Sequence, residues 1–483
     1  MTASEPIVDL PNEVEVVNIG LSLFAESVAE QGCPVMQVDW RIPADGDLAT
    51  VGSLARLHGV HHDAVSAANA EVFRRLDTGV PMLTSVGTVR DVVPDVDDRT
   101  LLHCGPAITW TDVCDPLRRS MRAAVVAEGW SEDVAGADRL LVDGEVILQP
   151  ANEHSAVVPM ASAVGPSMPV WVVDNEDGGT RAFAPLNQGP GEVAWFGRET
   201  DAAIQRLRFL REVAGPVLRS VVEASGPIDV MALASQGIAM GDDIHMRTQA
   251  TTNLFIRNLL PHIIDHVGTK GHEFGVYLSG NHLFFLNLVM AAAKSLTLWA
   301  ERVPSSSIVT TMARNGTTFG VKLAGHDHWY VTEAPPVGDA LYYPGYGPET
   351  AAKDIGDSAV LELVGLGGPA AAGSPAVAAF LGGTMADARK ATEQMIEICA
   401  GPSTRFKLPT MDFRGTPVGV DVRNIVELGI TPKVNTGVLH VSAGTGQIGA
   451  GVASAPIECF AEAMRDLDRR LSRPEPLSAI TRG

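Results

Sequence analysis

The stretch DAAIQRLRFLREVAGPVLRSVVEA, residues 201–224, decides the fold class. Its apolar residues Ile204, Leu207, Leu210, Val213, Leu218 and Val221 recur at helical spacing, with Arg and Glu between them, as on an amphipathic helix. The same period continues in IDVMALASQGIAM (228–240), DDIHMRTQATTNLFIRNLLPHIIDHV (242–267) and NHLFFLNLVMAAAKSLTLWAERV (281–303). A block from Thr200 to about Glu301 is therefore expected to be all-helical.

Outward from this block the period changes. Towards the N-terminus, from Pro81 to Gly197, short apolar runs such as TLLHCGP, RLLVDGEVIL and PVWVVDNEDGG alternate with Gly, Pro, Asn and Asp. They read as strands, with Asp143-Gly144 as a hairpin signal and one helix from about Pro116 to Glu128. His61 to Arg75 reads as a helix closed by Gly79. Earlier still, VEVVNIG, LSLFAESVAEQG and PVMQVDW (Val14 to Trp40) read as strand, helix and strand, a βαβ unit with parallel strands. Towards the C-terminus, SSIVTTMARNGTTFGVKLAG reads as a hairpin turning at Asn315-Gly316 in a type I′ turn. A Gly/Pro loop, LYYPGYGPETAAKDIGD, follows, and then an Ala/Gly-rich stretch. A helix from Met385 to Cys399, the loop DFRGTPVGVD and GVLHVSAGTGQIGAG come next, and the tail from Ser472 is expected to be loosely held. The fold class is a multi-domain α+β protein. It comprises an N-terminal βαβ unit (1–60), an α+β domain (61–199), a separate all-helical domain (200–304) and a C-terminal α+β domain (305–483).

A chain of 483 residues buries a large core without disulfide or metal staples. Its net charge of −21, with no Lys/Arg-rich block, argues against nucleic acid as a partner. Cys33, Cys104, Cys114, Cys399 and Cys459 are odd in number and widely spaced, as reduced thiols in a reducing compartment would be. The first residues lack a basic segment followed by an apolar run, and no apolar run reaches membrane-spanning length. A cytoplasmic protein without a membrane partner is expected.

No general catalytic signature is present: there is no P-loop, G-x-S-x-G, H-E-x-x-H or EF-hand loop. Gly444, Gly446 and Gly449 spell G-x-G-x-x-G, but too near the chain's end to open a βαβ unit. A Gly-rich turn against another backbone is the better reading. No cofactor and no metal are expected, since the His and Cys residues lack ligand spacing. What remains is a set of polar clusters at element ends. GDDIHMR (241–247) is read as a helix start that brings His245 and Arg247 beside two acids. GNHLFFLN (280–287) is read as another, with Asn281 as N-cap and His282 next to it. Arg314 and Asn315 precede a hairpin turn, and Arg414 sits in a Gly-flanked loop.

The stretches VVNIGLSLFAESVAEQGCPVMQVDWRIPA, LLHCGPAITW, GPSMPVWVVDN, MGDDIHMR, NHLFFLN, MARNGTTFG, YYPGYGPETAAKDIGDSA, DFRGTPVGVDVR and ITPKVNTGVLH, taken in order, resemble the YlbE/YahG-like family of bacterial proteins along nearly the whole chain. The resemblance implies an α+β core with a helical domain. For one branch, linked to anaerobic allantoin breakdown, it implies oxamate carbamoyltransferase activity together with an FdrA-like partner and a third small subunit, in an oligomeric assembly. That activity interconverts oxalurate plus phosphate with oxamate plus carbamoyl phosphate. Where relatives carry a pattern like H-N-R-N, this chain has His245, Met246, Arg247 and Thr248.

On chemical grounds, such a transfer needs anion contacts and a group that stabilises or protonates the tetrahedral intermediate. Arg314, Arg247 and Arg414 are the expected contacts to small anions such as carbamoyl phosphate and oxamate. His245 or His282 is the expected proton carrier or oxyanion donor, and Asn281, Asn315 and Asn435 are the expected polar contacts. The competing readings are a non-catalytic subunit of the FdrA-like complex, and an amidohydrolase acting on another ureido acid.

Overall fold

The computed structural model describes residues 14–38, 42–380, 383–442 and 444–473. It is an α+β, multi-domain protein. Among the described residues no helix is long and apolar enough to cross a membrane. Trp40, the expected end of the first unit, and nearly all of the C-terminal tail lie outside the described residues.

The N-terminal unit is built as its sequence pattern implies. The strands Val16–Ile19 and Val35–Val38 pair in parallel, joined by the helix Ser22–Glu30. Further on, the strands Thr180–Pro185, Pro169–Asn175, Pro81–Thr88 and Ile228–Asp229 form an antiparallel sheet in that order. The helix Leu286–Ala300 packs on it. Nearly every residue of this helix is buried, which explains a sequence that is apolar all round rather than striped. Trp171 on the sheet meets Phe255 and Phe284 edge-on, with centroids 5.9 and 5.6 Å apart. One apolar core runs from Val72 to Leu439, and a second gathers Leu54, Met312, Phe319, Val420 and Phe460.

Four local expectations change. Asp143-Gly144 does not turn a hairpin but ends the helix Val134–Val142. Gly144 has φ +72°, and Glu145 N–H reaches back to Leu140 O at 3.0 Å, a glycine helix stop. The Asn315-Gly316 turn does connect the antiparallel strands Val309–Asn315 and Thr318–Leu323. It is not type I′, because only Gly316 takes positive φ; Asn315 Oδ1 accepts from Thr317 N and Thr318 N instead. GDDIHMR does not start a helix, which begins only at Gln249. Asn281 follows the helix Gly271–Gly280 as its C-cap, and the next helix begins at Leu286. The Ala/Gly-rich stretch is internal: Gly368–Gly373 is a buried 3-10 turn.

Candidate functional site

A cavity of about 500 Å³ opens between the helical block and the C-terminal strands. Two non-helical turns project into it. One carries His245 and Met246, the other Asn281 and His282; Met160, Trp195 and Phe196 supply apolar wall. The volume is in the range of small-molecule sites.

The turn at His245 is held from below. Asp242 accepts from Ala250 N (3.2 Å) and Thr251 N (2.8 Å), so it caps the following helix from eight residues upstream. Asp243 accepts from Met246 N (3.1 Å), Arg247 N (2.7 Å) and Asn435 Nδ2 (2.6 Å), and burial raises its carboxyl pKa. Between the acids and His245, Ile244 takes φ +65°, a conformation that costs a β-branched residue energy. This strained residue breaks the helix and turns the next side chain into the cavity.

His245 is nearly fully buried, and its Nδ1 lies 2.7 Å from Glu362 Oε1. Nε2 has no hydrogen-bond partner among the described residues, and the ring lines the cavity. Glu362 is sealed from solvent. Its Oε1 also receives Gly368 N and Asn435 N, each at 3.3 Å, while Oε2 has no partner. Gly367, at φ +67°, lets the two meet: a Cβ there would collide with both the carboxylate and the imidazole. A carboxylate on one ring nitrogen fixes the tautomer that leaves the other nitrogen able to accept a proton, and steadies the ring once charged.

Asn281 and His282 approach from the opposite wall. Asn281 Nδ2 donates to Asn187 O at 3.3 Å, and Tyr277 Oη shares that carbonyl at 2.6 Å. Thr248 and Thr252 hydroxyls bind His282 O at 3.0 and 3.1 Å and pin the turn. The His282 ring is at the rim, open to solvent, with enough protein around it to lower its pKa. Of the two positions that depart from the H-N-R-N pattern, Met246 faces the cavity and Thr248 braces the turn behind it.

The other expected site residues are placed elsewhere. Arg314 is sealed in the core. Its fork closes on Asp354 (Nε–Oδ2 2.7 Å, Nη2–Oδ1 2.9 Å) and its third nitrogen on Gly356 O (2.6 Å), so no donor face is left for an anion. Asn315 holds its own hairpin turn and Pro106 O. Arg247 binds Gly241 O at 2.8 Å and braces its own turn. Asn435 lies behind the wall, spending its amide on Asp243. Arg414 is exposed at the start of the strand Arg414–Val420. Among the described residues that line the cavity none is Lys or Arg. Of the G-x-G-x-x-G stretch, Gly446 lines the cavity, while Gly449 lets its strand lie close against Leu341 and Tyr342.

Glu362 and Ser358 escaped the sequence reading. Ser358 is buried at the cavity wall, four residues before Glu362, in the turn that leads into the short helix Val360–Leu363. The available signal was a single carboxylate inside the apolar run AVLELVGL (359–366). Among the described residues no three His, Cys, Asp or Glu side chains are grouped to hold a metal ion.

Fold and cavity together define a class: an α+β protein that presents a carboxylate-held imidazole to a cavity of mixed apolar and polar wall. Residues 146–358 match the family model for oxamate carbamoyltransferase subunit AllG. The AllG subunit of Escherichia coli K12 is 37% identical over 409 residues, 84% of this chain and 98% of that protein. The uncharacterized protein YahG of the same organism is 33% identical over 455 residues, 93% of this chain and 96% of its own length. A crystal structure of a conserved protein of unknown function from Enterococcus faecalis V583 superposes with a TM-score of 0.82 at 34% identity, covering 84% of this chain and 98% of that one. The chain belongs to the oxamate carbamoyltransferase subunit AllG family.

Proposed function

We propose that this chain carries the carbamoyl-transfer site of an oxamate-type carbamoyltransferase and works as a subunit beside an FdrA-like partner. The observation that carries the reading is His245 in the cavity wall, its Nδ1 held by Glu362 and its Nε2 without a hydrogen-bond partner among the described residues. In the direction of oxalurate breakdown, a phosphate oxygen attacks the ureido carbonyl. The tetrahedral intermediate then collapses with cleavage of the C–N bond to oxamate. His245 Nε2 takes the proton of the attacking phosphate hydroxyl and passes it to the departing nitrogen, and Glu362 stabilises the imidazolium formed in between. The Ser358 hydroxyl and the His282 ring stand at the same cavity to donate to the developing oxyanion.

The wall holds no Lys or Arg among the described residues, so lasting counter-charge for phosphate has to come from elsewhere. This favours a site completed by the partner. It also sustains a second reading, in which the chain is a non-catalytic subunit. The test is phosphate-dependent formation of carbamoyl phosphate from oxalurate by the chain alone and with its partner, each with wild type and His245→Gln. The first reading expects turnover that His245→Gln lowers by about 10²–10³-fold. Turnover by the complex that stays within about threefold of wild type moves the chemistry to the partner.

A further inference from the structure

The N-terminal unit differs from the rest of the chain in how little of it is covered. Among residues 14–38, which hold both of its strands and its helix, Ala25 alone is buried. Among the described residues, the hydrogen bonds of this stretch all close within it. The parallel register sets Val17 beside Met36 and Ile19 beside Val38, so these four side chains share one face of the two-stranded sheet. The opposite face carries Val16 and Val35, both partly buried, and is the one turned to the helix. On the helix-free face Val17, Ile19 and Met36 are 59%, 64% and 66% exposed, and the helix end adds Leu21, Leu23 and Phe24, exposed to a similar degree. Parallel sheets are otherwise covered on both faces, and a contiguous apolar patch of this kind marks an interaction surface. Its rim is acidic: residues 14–38 include Glu15, Glu26 and Glu30, all exposed, and no Lys or Arg.

From this we infer that the helix-free face of the N-terminal unit is the docking surface for the partner subunit, which meets it with an apolar patch rimmed by Lys and Arg. Charge selects this occupant over a second copy of the chain. Two copies of the unit would set three glutamates against three more, on chains that each carry a net charge of −21, and like charges across an interface repel. A basic rim pairs with those glutamates while the apolar centre of the patch leaves water. The cavity asks for the same partner chemistry independently, since its wall holds no Lys or Arg among the described residues.

The inference rests on the subunit reading above, and it is tested by association alone, so the two can fail separately. The full chain is mixed with the purified FdrA-like partner and the complex is followed by sedimentation velocity. Ile19→Glu combined with Met36→Glu should weaken association at least about tenfold, because both substitutions put charge into the apolar centre. Glu26→Lys combined with Glu30→Lys leaves that centre intact and should weaken it roughly threefold to tenfold, and added salt should weaken the wild-type complex. Leu260→Glu, at another exposed apolar residue, on the helix Gln249–His266, should associate like wild type. All these side chains are exposed, so an unchanged thermal midpoint in each variant shows that the fold is intact. Wild-type affinity in both double variants would overturn the inference and leave the carbamoyl-transfer reading standing. Oligomers of the chain alone that Ile19→Glu with Met36→Glu dissolves would give the face to a second copy and overturn it. Absence of any complex with the wild-type chain would overturn it together with the subunit reading. A complex that loses affinity as described, yet turns over normally as His245→Gln, would retain the inference and lose the mechanism.

Discussion

Two buried acid–base pairs differ in what they leave unspent. Arg314–Asp354 and His245–Glu362 both close at 2.7 Å, and the segment Asp354 to Glu362 supplies both acids. Asp354 takes two nitrogens of the guanidinium and Gly356 O takes the third, so that pair is complete within the fold. Glu362 takes one nitrogen of an imidazole that lines the cavity, and the other nitrogen has no hydrogen-bond partner among the described residues. Burial is alike in the two; available valence separates a structural clamp from a reactive group.

The largest effect expected from breaking this comparison is on stability. Arg314→Leu leaves Asp354 as a buried carboxylate without its partner, at a cost of about 3–5 kcal/mol. Denaturant unfolding of the purified chain measures it. Removing both charges together, in Arg314→Leu with Asp354→Leu, should recover part of the loss, because the remaining charge is then gone. A cost below about 1 kcal/mol for the single variant would show that the clamp is not structural.

His245→Gln reverses the balance of effects. Its amide still donates to Glu362, so the unfolding midpoint should move less than in Arg314→Leu, while turnover falls by about 10²–10³-fold. Glu362→Gln sharpens the point, because it keeps the shape and removes the charge that steadies the imidazolium. If turnover in that variant stays at the wild-type level, Glu362 positions nothing that matters to the reaction.

A smaller effect comes from Asp357, which lies between the two pairs in sequence. Burial pushes its carboxyl up to about 7 from an ordinary 3.8, although Gly105 N and Val158 N both donate to it. A raised carboxyl means that the folded state holds a proton the unfolded state has already lost. Its contribution to stability therefore falls as pH rises from about 4 to about 7 and is flat above. His103 and His326, both lowered to about 4 by burial, act in the opposite sense below the ordinary imidazole pKa. The measurement is accordingly the difference between wild type and Asp357→Asn across that range. A difference that does not slope downward would mean that Asp357 is ionised in the folded protein.

The same contrast explains what the amino-acid sequence revealed. Elements with strong local patterning were legible: the helices from 201 onward, the parallel βαβ pair, and the hairpin at Asn315-Gly316. So were His245, Asn281 and His282, because polar residues clustered at element ends stand out from apolar surroundings. Partnerships across the chain were not. Nothing near Arg314 announces Asp354, 40 residues away, and nothing near His245 announces Glu362, 117 residues away. The acids of GDDIHMR looked like an adjacent helix cap, but Ile244 at φ +65° interrupts the helix there and Asp242 caps across the gap. Conformation at one residue decided the turn, and no residue type at that position signals it.

Arg414 gives the smallest expected effect and the sharpest control on the comparison. It resembles Arg314 in sequence, since both are arginines within two residues of a glycine near a strand end, and both are natural anion contacts by that measure. In the fold Arg414 is exposed, and its side chain has neither a hydrogen bond nor an ion pair among the described residues. An exposed side chain without partners contributes within about ±0.5 kcal/mol to stability. Arg414→Ala should therefore leave the unfolding midpoint unchanged and, in the isolated chain, keep ligand binding within about twofold of wild type. Binding assays on the chain alone and with its partner separate two meanings of exposure. Loss of affinity only in the assembled enzyme would make this arginine the counter-charge that the cavity wall lacks. An unchanged complex would leave that charge to the partner's own residues.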